Sequence, residues 1–190
     1  MGFNANMLAN EMFLDSADIR ASVVSKAKQV GYTPTSATSS QAKIDVVVND
    51  ATGASLTMAR GTQFSTTVDG TSYNFVNNAD ISITPVDGVY KFSNLEIFEG
   101  SYLNYKYTAS TSDLEQRFII PNDRVDTSTL TVKVQESSSD STTNTYTLAD
   151  GLTGLTPTSQ VYFLQEVENG RYEVYFGDGV LGKAIADGNI

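Results

Sequence analysis

Residues 161–179 read Val-Tyr-Phe-Leu-Gln-Glu-Val-Glu-Asn-Gly-Arg-Tyr-Glu-Val-Tyr-Phe-Gly-Asp-Gly, and this stretch decides the fold class. Two runs rich in β-branched and aromatic residues, 161–167 and 171–176, flank Glu168-Asn169-Gly170. Asn-Gly is the preferred central pair of a type I′ turn, because both positions need positive φ. The stretch therefore predicts an antiparallel hairpin.

The same grammar runs upstream. Lys43–Val48, Ser55–Ala59, Phe64–Val68, Ser72–Val76, Ile81–Thr84, Val89–Phe92, Leu95–Gly100 and Leu103–Tyr107 read as a first group of strands. Arg60-Gly61, Asp69-Gly70 and Asp87-Gly88 punctuate them as turns. Arg117–Ile120 and Leu130–Val134 join the 161–176 pair in a second group, and 136–145, ESSSDSTTNT, reads as a solvated polar loop. Short strands at regular spacing predict antiparallel modules of the sandwich or barrel-like kind.

The N-terminal part has a different period. Ala5 to Leu14 reads as a first helical segment. Asp15-Ser16 then reads as an N-cap with Asp18 in the first turn, where a negative charge meets the positive helix end. Ile19, Val23, Ala27 and Val30, with Val24, make an apolar stripe. Gly31 suits the position just past the helix, and Pro34 ends it. Residues 33–41 form a polar linker. The expectation is a mainly β chain with N-terminal helices (α+β). It divides into a helical segment and linker (1–40), a first β module (41–110) and a second (111–190).

Composition narrows the chemistry. The 190 residues include no His, Cys or Trp. That removes Ser-His-Asp triads, Cys nucleophiles, imidazole acid–base work, disulfides and metal sites built on nitrogen or sulfur. With 22 acidic and 12 basic residues the net charge is −10. The basic residues are scattered apart from Lys26 and Lys28. Nucleic acid or an anionic membrane surface would need clustered cations, so neither is an expected partner. No run approaches the ~18 apolar residues of a membrane span, and the N-terminus lacks the charged and apolar regions of a secretory signal.

Carboxylate chemistry stays open, and each candidate has a plainer reading. Gly177-Asp178-Gly179 could hold calcium, but the ion takes about six to eight oxygens and only Asp178 is local. A sharp turn is favoured, with no metal. Glu96/Glu99 and Glu166/Glu168 lack a sugar-platform setting and read as solvated strand charges. Gly177, Gly179 and Gly182 spell G-x-G-x-x-G outside any βαβ unit, so no dinucleotide is expected. The 10 Tyr and 9 Phe fit core and cross-strand pairs better than a sugar groove. No catalytic residue and no cofactor are expected.

The ordered set of these motifs resembles the baseplate J-like family, the wedge proteins of contractile phage tails and related injection machines. In that family a strand pair ends in Tyr-Phe-Gly-Asp-Gly followed by a Gly and a Lys, as Tyr175–Gly179, Gly182 and Lys183 do here. Residues 118–134 look like the version found in T-even-type myophages. Ala59–Phe64 with Asp69-Gly70 and Tyr73–Phe75 is similar to the family's entry hairpin, and Val30–Pro34 to its helix-to-β junction. The family is longer, so the resemblance implies a partial chain. It also implies a structural role without turnover, in the virion's tail baseplate, assembled in the host cytoplasm. The implied partners are a second copy (a dimer within a wedge) and other wedge or hub-proximal proteins, with Ile19, Val23, Ala27 and Val30 as the candidate interaction helix. A β-sandwich carbohydrate-binding or adhesin module is the alternative; such a module has no need of an apolar helix ahead of its sheets.

Overall fold

The computed structural model describes residues 2–13, 15–32, 34–113 and 116–190, and the side chains among these from residue 6 onward. Leu14, the expected end of the first helical segment, and Thr33, within the expected linker, lie outside the described residues. The chain is mainly β, and its sheets curl into half-barrels. The elements in order are α1 (Gly2–Asn10), α2 (Arg20–Gln29), β1 (Gln41–Val48), β2 (Leu56–Met58), β3 (Gln63–Val68), β4 (Thr71–Asn77), β5 (Ile81–Ile83), β6 (Tyr90–Glu99), β7 (Phe118–Ile119), β8 (Val132–Gln135), β9 (Thr143–Leu148), β10 (Val161–Glu166) and β11 (Tyr172–Phe176). Two compact units result: Thr38–Asn104, and Met1–Ala37 with Tyr105–Ile190.

The Thr38–Asn104 unit holds an antiparallel sheet in the order β1-β6-β4-β3 and a two-stranded ladder of β2 and β5. Sequence reading splits β6 into two strands, 89–92 and 95–100; the structure makes it one. Tyr90 and Phe92 fall on one parity and Leu95 and Ile97 on the other, yet all four are buried. An unbroken period of two cannot do this. Pairing jumps from Ile44↔Leu95 to Val46↔Phe92, so Asp45 alone faces Ser93 and Asn94. This bulge re-phases the strand and returns Leu95 and Ile97 to the core. Asn94 takes φ 52°, a left-handed value that Asn tolerates.

Asn77 is fully buried in this unit. Its side-chain oxygen accepts the Thr62 N–H at 2.8 Å, and its amide nitrogen donates to the Ala79 carbonyl at 2.7 Å. Its own carbonyl accepts the Gly61 N–H at 2.9 Å. One side chain thus satisfies the turn that leads into β3.

The other unit carries a five-stranded sheet in the order β7-β11-β10-β9-β8. Its core gathers Ile120, Val134, Tyr146, Tyr162, Tyr172 and Val174, with Phe118, Leu164 and Phe176 against them. Phe176 meets Phe118 and Tyr146 edge-on, with ring centres 5.8 and 5.5 Å apart. That geometry sets the positive ring edge against the negative face.

Three expectations need correction here. The sheet is not wholly antiparallel, because β9 and β10 run parallel through Thr147↔Val161 and Leu148↔Tyr162. The long connection 149–160 supplies the crossover that a parallel pair requires. The polar loop ends earlier than expected: Thr143, Asn144 and Thr145 already pair with β8 in strand β9. Conversely, Leu103–Tyr107 forms no strand.

Candidate interaction surface

Helix α2 starts later than its sequence suggests. Arg20 is its first residue and Ile19 its N-cap, so Asp15-Ser16 does not cap it and Asp18 lies ahead of it. The Ser16 hydroxyl instead donates to the Asn10 carbonyl at 2.7 Å. Glu11 Oε1 holds the segment just ahead of the helix, accepting the N–H groups of Asp18 and Ile19 at 3.0 and 3.2 Å. The Ser22 hydroxyl, with those two N–H groups, holds the Glu11 carboxyl below its usual range. At the other end Gly31 sits at φ 76°. The Gly31 N–H reaches Lys28 O at 3.0 Å and the Tyr32 N–H reaches Ala27 O at 2.9 Å. These two bonds satisfy carbonyls that the last turn would leave open. Lys26 and Lys28 in that turn meet the negative helix end.

The four stripe residues divide. Ala27, with its neighbour Val24, is buried within its own unit, and Val23 is half-buried. Ile19 and Val30 are exposed, Val30 by 73%. They belong to a longer exposed apolar series with Met7, Leu8, Met12, Phe13 and Tyr32.

What anchors α2 is a buried carboxylate that sequence reading places in solvent. Glu166 is 1% exposed, and both its oxygens are taken by Arg20, from Nε at 2.9 Å and Nη2 at 2.8 Å. Only Glu168 of the pair is a solvated charge. The signal was present in the phase of β10, where Glu166 shares the parity of the core residues Tyr162 and Leu164. A forked guanidinium is the partner that best offsets desolvation of such a group. Just beyond, the Tyr172 hydroxyl donates to the Pro34 carbonyl at 3.0 Å. Burial, then the nearby Glu166 charge, pushes the Tyr172 phenol up.

A second fork lies on β11. Arg117 donates from Nε and Nη2 to Glu173 at 2.9 and 2.7 Å, and Gln165 adds a bond of 2.8 Å. Arg117, and then Gln165, hold the Glu173 carboxyl below its usual range against the opposing effect of burial. Phe163 and Tyr175 stack beside this group at 5.2 Å.

The turn residues stand as follows. Asn169 (φ 59°) and Gly170 (φ 73°) both take left-handed conformations between β10 and β11. The Arg171 N–H closes that turn on the Glu168 carbonyl at 3.3 Å. Asp178 Oδ1 accepts the N–H groups of Val180 and Leu181, each at 2.9 Å, which lowers its pKa. A Cβ on Gly177 would lie 2.4 Å from the Gly182 carbonyl, so the two backbones meet at van der Waals distance. Among the described residues no three carboxylates gather where they could hold a metal ion.

Comparison with known proteins adds one likeness. The chain is 29% identical over 188 residues to the baseplate wedge protein gp6 of Enterobacteria phage T4. The match covers 96% of this chain and 27% of that protein, so the chain spans about a quarter of its relative's length. No family profile matches the chain.

Proposed function

We propose that this chain is a structural part of a phage tail baseplate wedge of the baseplate J-like kind, working by assembly and without turnover. The observation that carries the reading is the reach of the likeness, 96% of the chain, which takes in both units rather than one common turn. The absence of His and Cys agrees with a role that needs no catalytic group. On this reading the partners are a second copy within the wedge and other wedge or hub-proximal proteins. The chain would act in the virion after assembly in the host cytoplasm.

The exposed apolar residues Met7, Leu8, Met12, Phe13, Ile19 and Val30 are the proposed contact surface, since so many large apolar side chains exposed along one segment favour a place where something binds. Val24 and Ala27 brace the helix on its own unit. Co-expression with the neighbouring wedge proteins and size-exclusion chromatography test this. Co-elution is expected. Retention of a glycan with no baseplate protein bound would replace the reading with a carbohydrate-binding module.

A further inference from the structure

The hairpin of β3 and β4 extends past the sheet that carries it. Its register runs from Gln63↔Val76 to Val68↔Thr71 around Asp69-Gly70. The next strand, β6, pairs with β4 only from Phe75 to Asn77, and the Gly100 N–H adds a bond to Asn74 O. Beyond that point every residue from 65 to 72 is exposed. A two-stranded ribbon standing alone in water is marginal.

The direction of its backbone groups follows from the register. In a two-residue hairpin the flanking pair, Val68 and Thr71, exchanges both bonds. Thr66↔Tyr73 and Phe64↔Phe75 then also face inward. The N–H and C=O groups of Ser65 and Thr67 point outward along the edge, where β3 ends the sheet and no backbone partner lies among the described residues. Natural edges are blunted by Lys, Pro or bulges. The stretch Gln63–Val68 has none of these, and its unbroken register continues to the turn.

We propose that the outer edge of β3 accepts one extended segment of a neighbouring baseplate protein as an added antiparallel strand. This rests on the wedge reading above. Only an extended backbone supplies acceptors and donors at every second residue in step with Ser65 and Thr67. Charge selects a foreign segment over a second copy. The chain carries −10, and the arm's one charged side chain is Asp69, so the fitting strand is free of acid with a Lys or Arg opposite the turn.

The test reconstitutes the full chain with its neighbouring wedge proteins and follows amide hydrogen exchange. Slow exchange at Ser65 and Thr67 is expected in the complex, with fast exchange in the chain alone. Thr67→Pro removes an outward donor and leaves the inward ladder intact, so it should keep the melting temperature and weaken the complex about tenfold or more. A complex that forms with both amides still fast overturns the strand-accepting edge and leaves the wedge reading standing; the exchange measurement needs no variant. Protection that appears in the chain alone and rises with its concentration assigns the edge to a second copy and overturns the foreign strand. A chain that binds no wedge protein overturns both readings together.

Discussion

Asp45 on β1 accepts the backbone N–H of Asn94 on β6 at 2.9 Å, the point where one residue of a strand faces two of its neighbour. The same carboxylate receives Lys91 Nζ at 2.8 Å through its second oxygen. One exposed side chain thus occupies the bulge that lets Phe92 and Leu95 share a core.

Asn94 should tolerate Gly and resist Val. A β-branched residue at φ 52° carries a strain of about 1–3 kcal/mol, while Gly carries none. Urea unfolding of the full chain measures the difference. Equal midpoints for Asn94→Val and the parent would show that the bulge is not needed.

The Asp45 carboxyl is held below its ordinary range, by Lys91 first and then by the Asn94 N–H. Glu173 is held down by Arg117 and Gln165. A depressed pKa means stability that is present above the unfolded-state value, about 3.9 for Asp and 4.3 for Glu, and lost as pH falls through the folded-state value. Thermal stability should therefore drop on acidification below those values. Asp45→Asn should flatten part of that slope, and a slope identical to the parent's would refute the linkage.

Removing Arg20 should cost more than removing its charge partner's charge. Arg20→Ala leaves Glu166, 1% exposed, without its forked guanidinium. Because Arg20 itself is largely exposed, water can reach part of the gap, so the expected loss is about 1–3 kcal/mol. Glu166→Gln keeps a polar group of the same shape and should lose less. The order of the two denaturation midpoints decides.

Asn77→Ala removes the acceptor of the Thr62 N–H and the donor to Ala79 at a site with no exposure. The expected loss is about 1–2 kcal/mol, from two lost hydrogen bonds at a fully buried side chain, because the Thr62 N–H keeps the Ala59 carbonyl at 3.2 Å and Ala79 is exposed to water. Calorimetry should record a clearly lower melting temperature, and an unchanged one would mean water replaces the side chain freely.

Gly177→Ala should be worse than Gly179→Ala, although Gly179 has the positive φ. At Gly177 a methyl carbon would meet the Gly182 carbonyl at 2.4 Å, which only a backbone shift can relieve. At Gly179 the nearest atom is 3.8 Å away, and the cost is the left-handed conformation alone, about 1 kcal/mol. A reversed order of melting temperatures would contradict the packing account.

Much of this fold was legible in local chemistry. Asp69-Gly70, Asp87-Gly88 and Asn169-Gly170 all sit at positive φ, because only such residues accept that backbone without strain. Gly31 ends α2 for the same reason. Alternation marked β1 as a strand with one side turned inward, and β-branched and aromatic content marked β10. These are properties of a residue and its immediate neighbours, and one chain is enough to read them. Tertiary structure alone decided the rest. The bulge at Asn94 depends on which strand lies beside β6, and the parallel pairing of β9 with β10 depends on where the 149–160 connection returns. Glu166 became an anchor rather than a solvated charge because Arg20, far off in sequence, reaches it. The phase of β10 puts Glu166 on the core side, but what makes a buried carboxylate tolerable is its partner, and no local pattern encodes one 146 positions away.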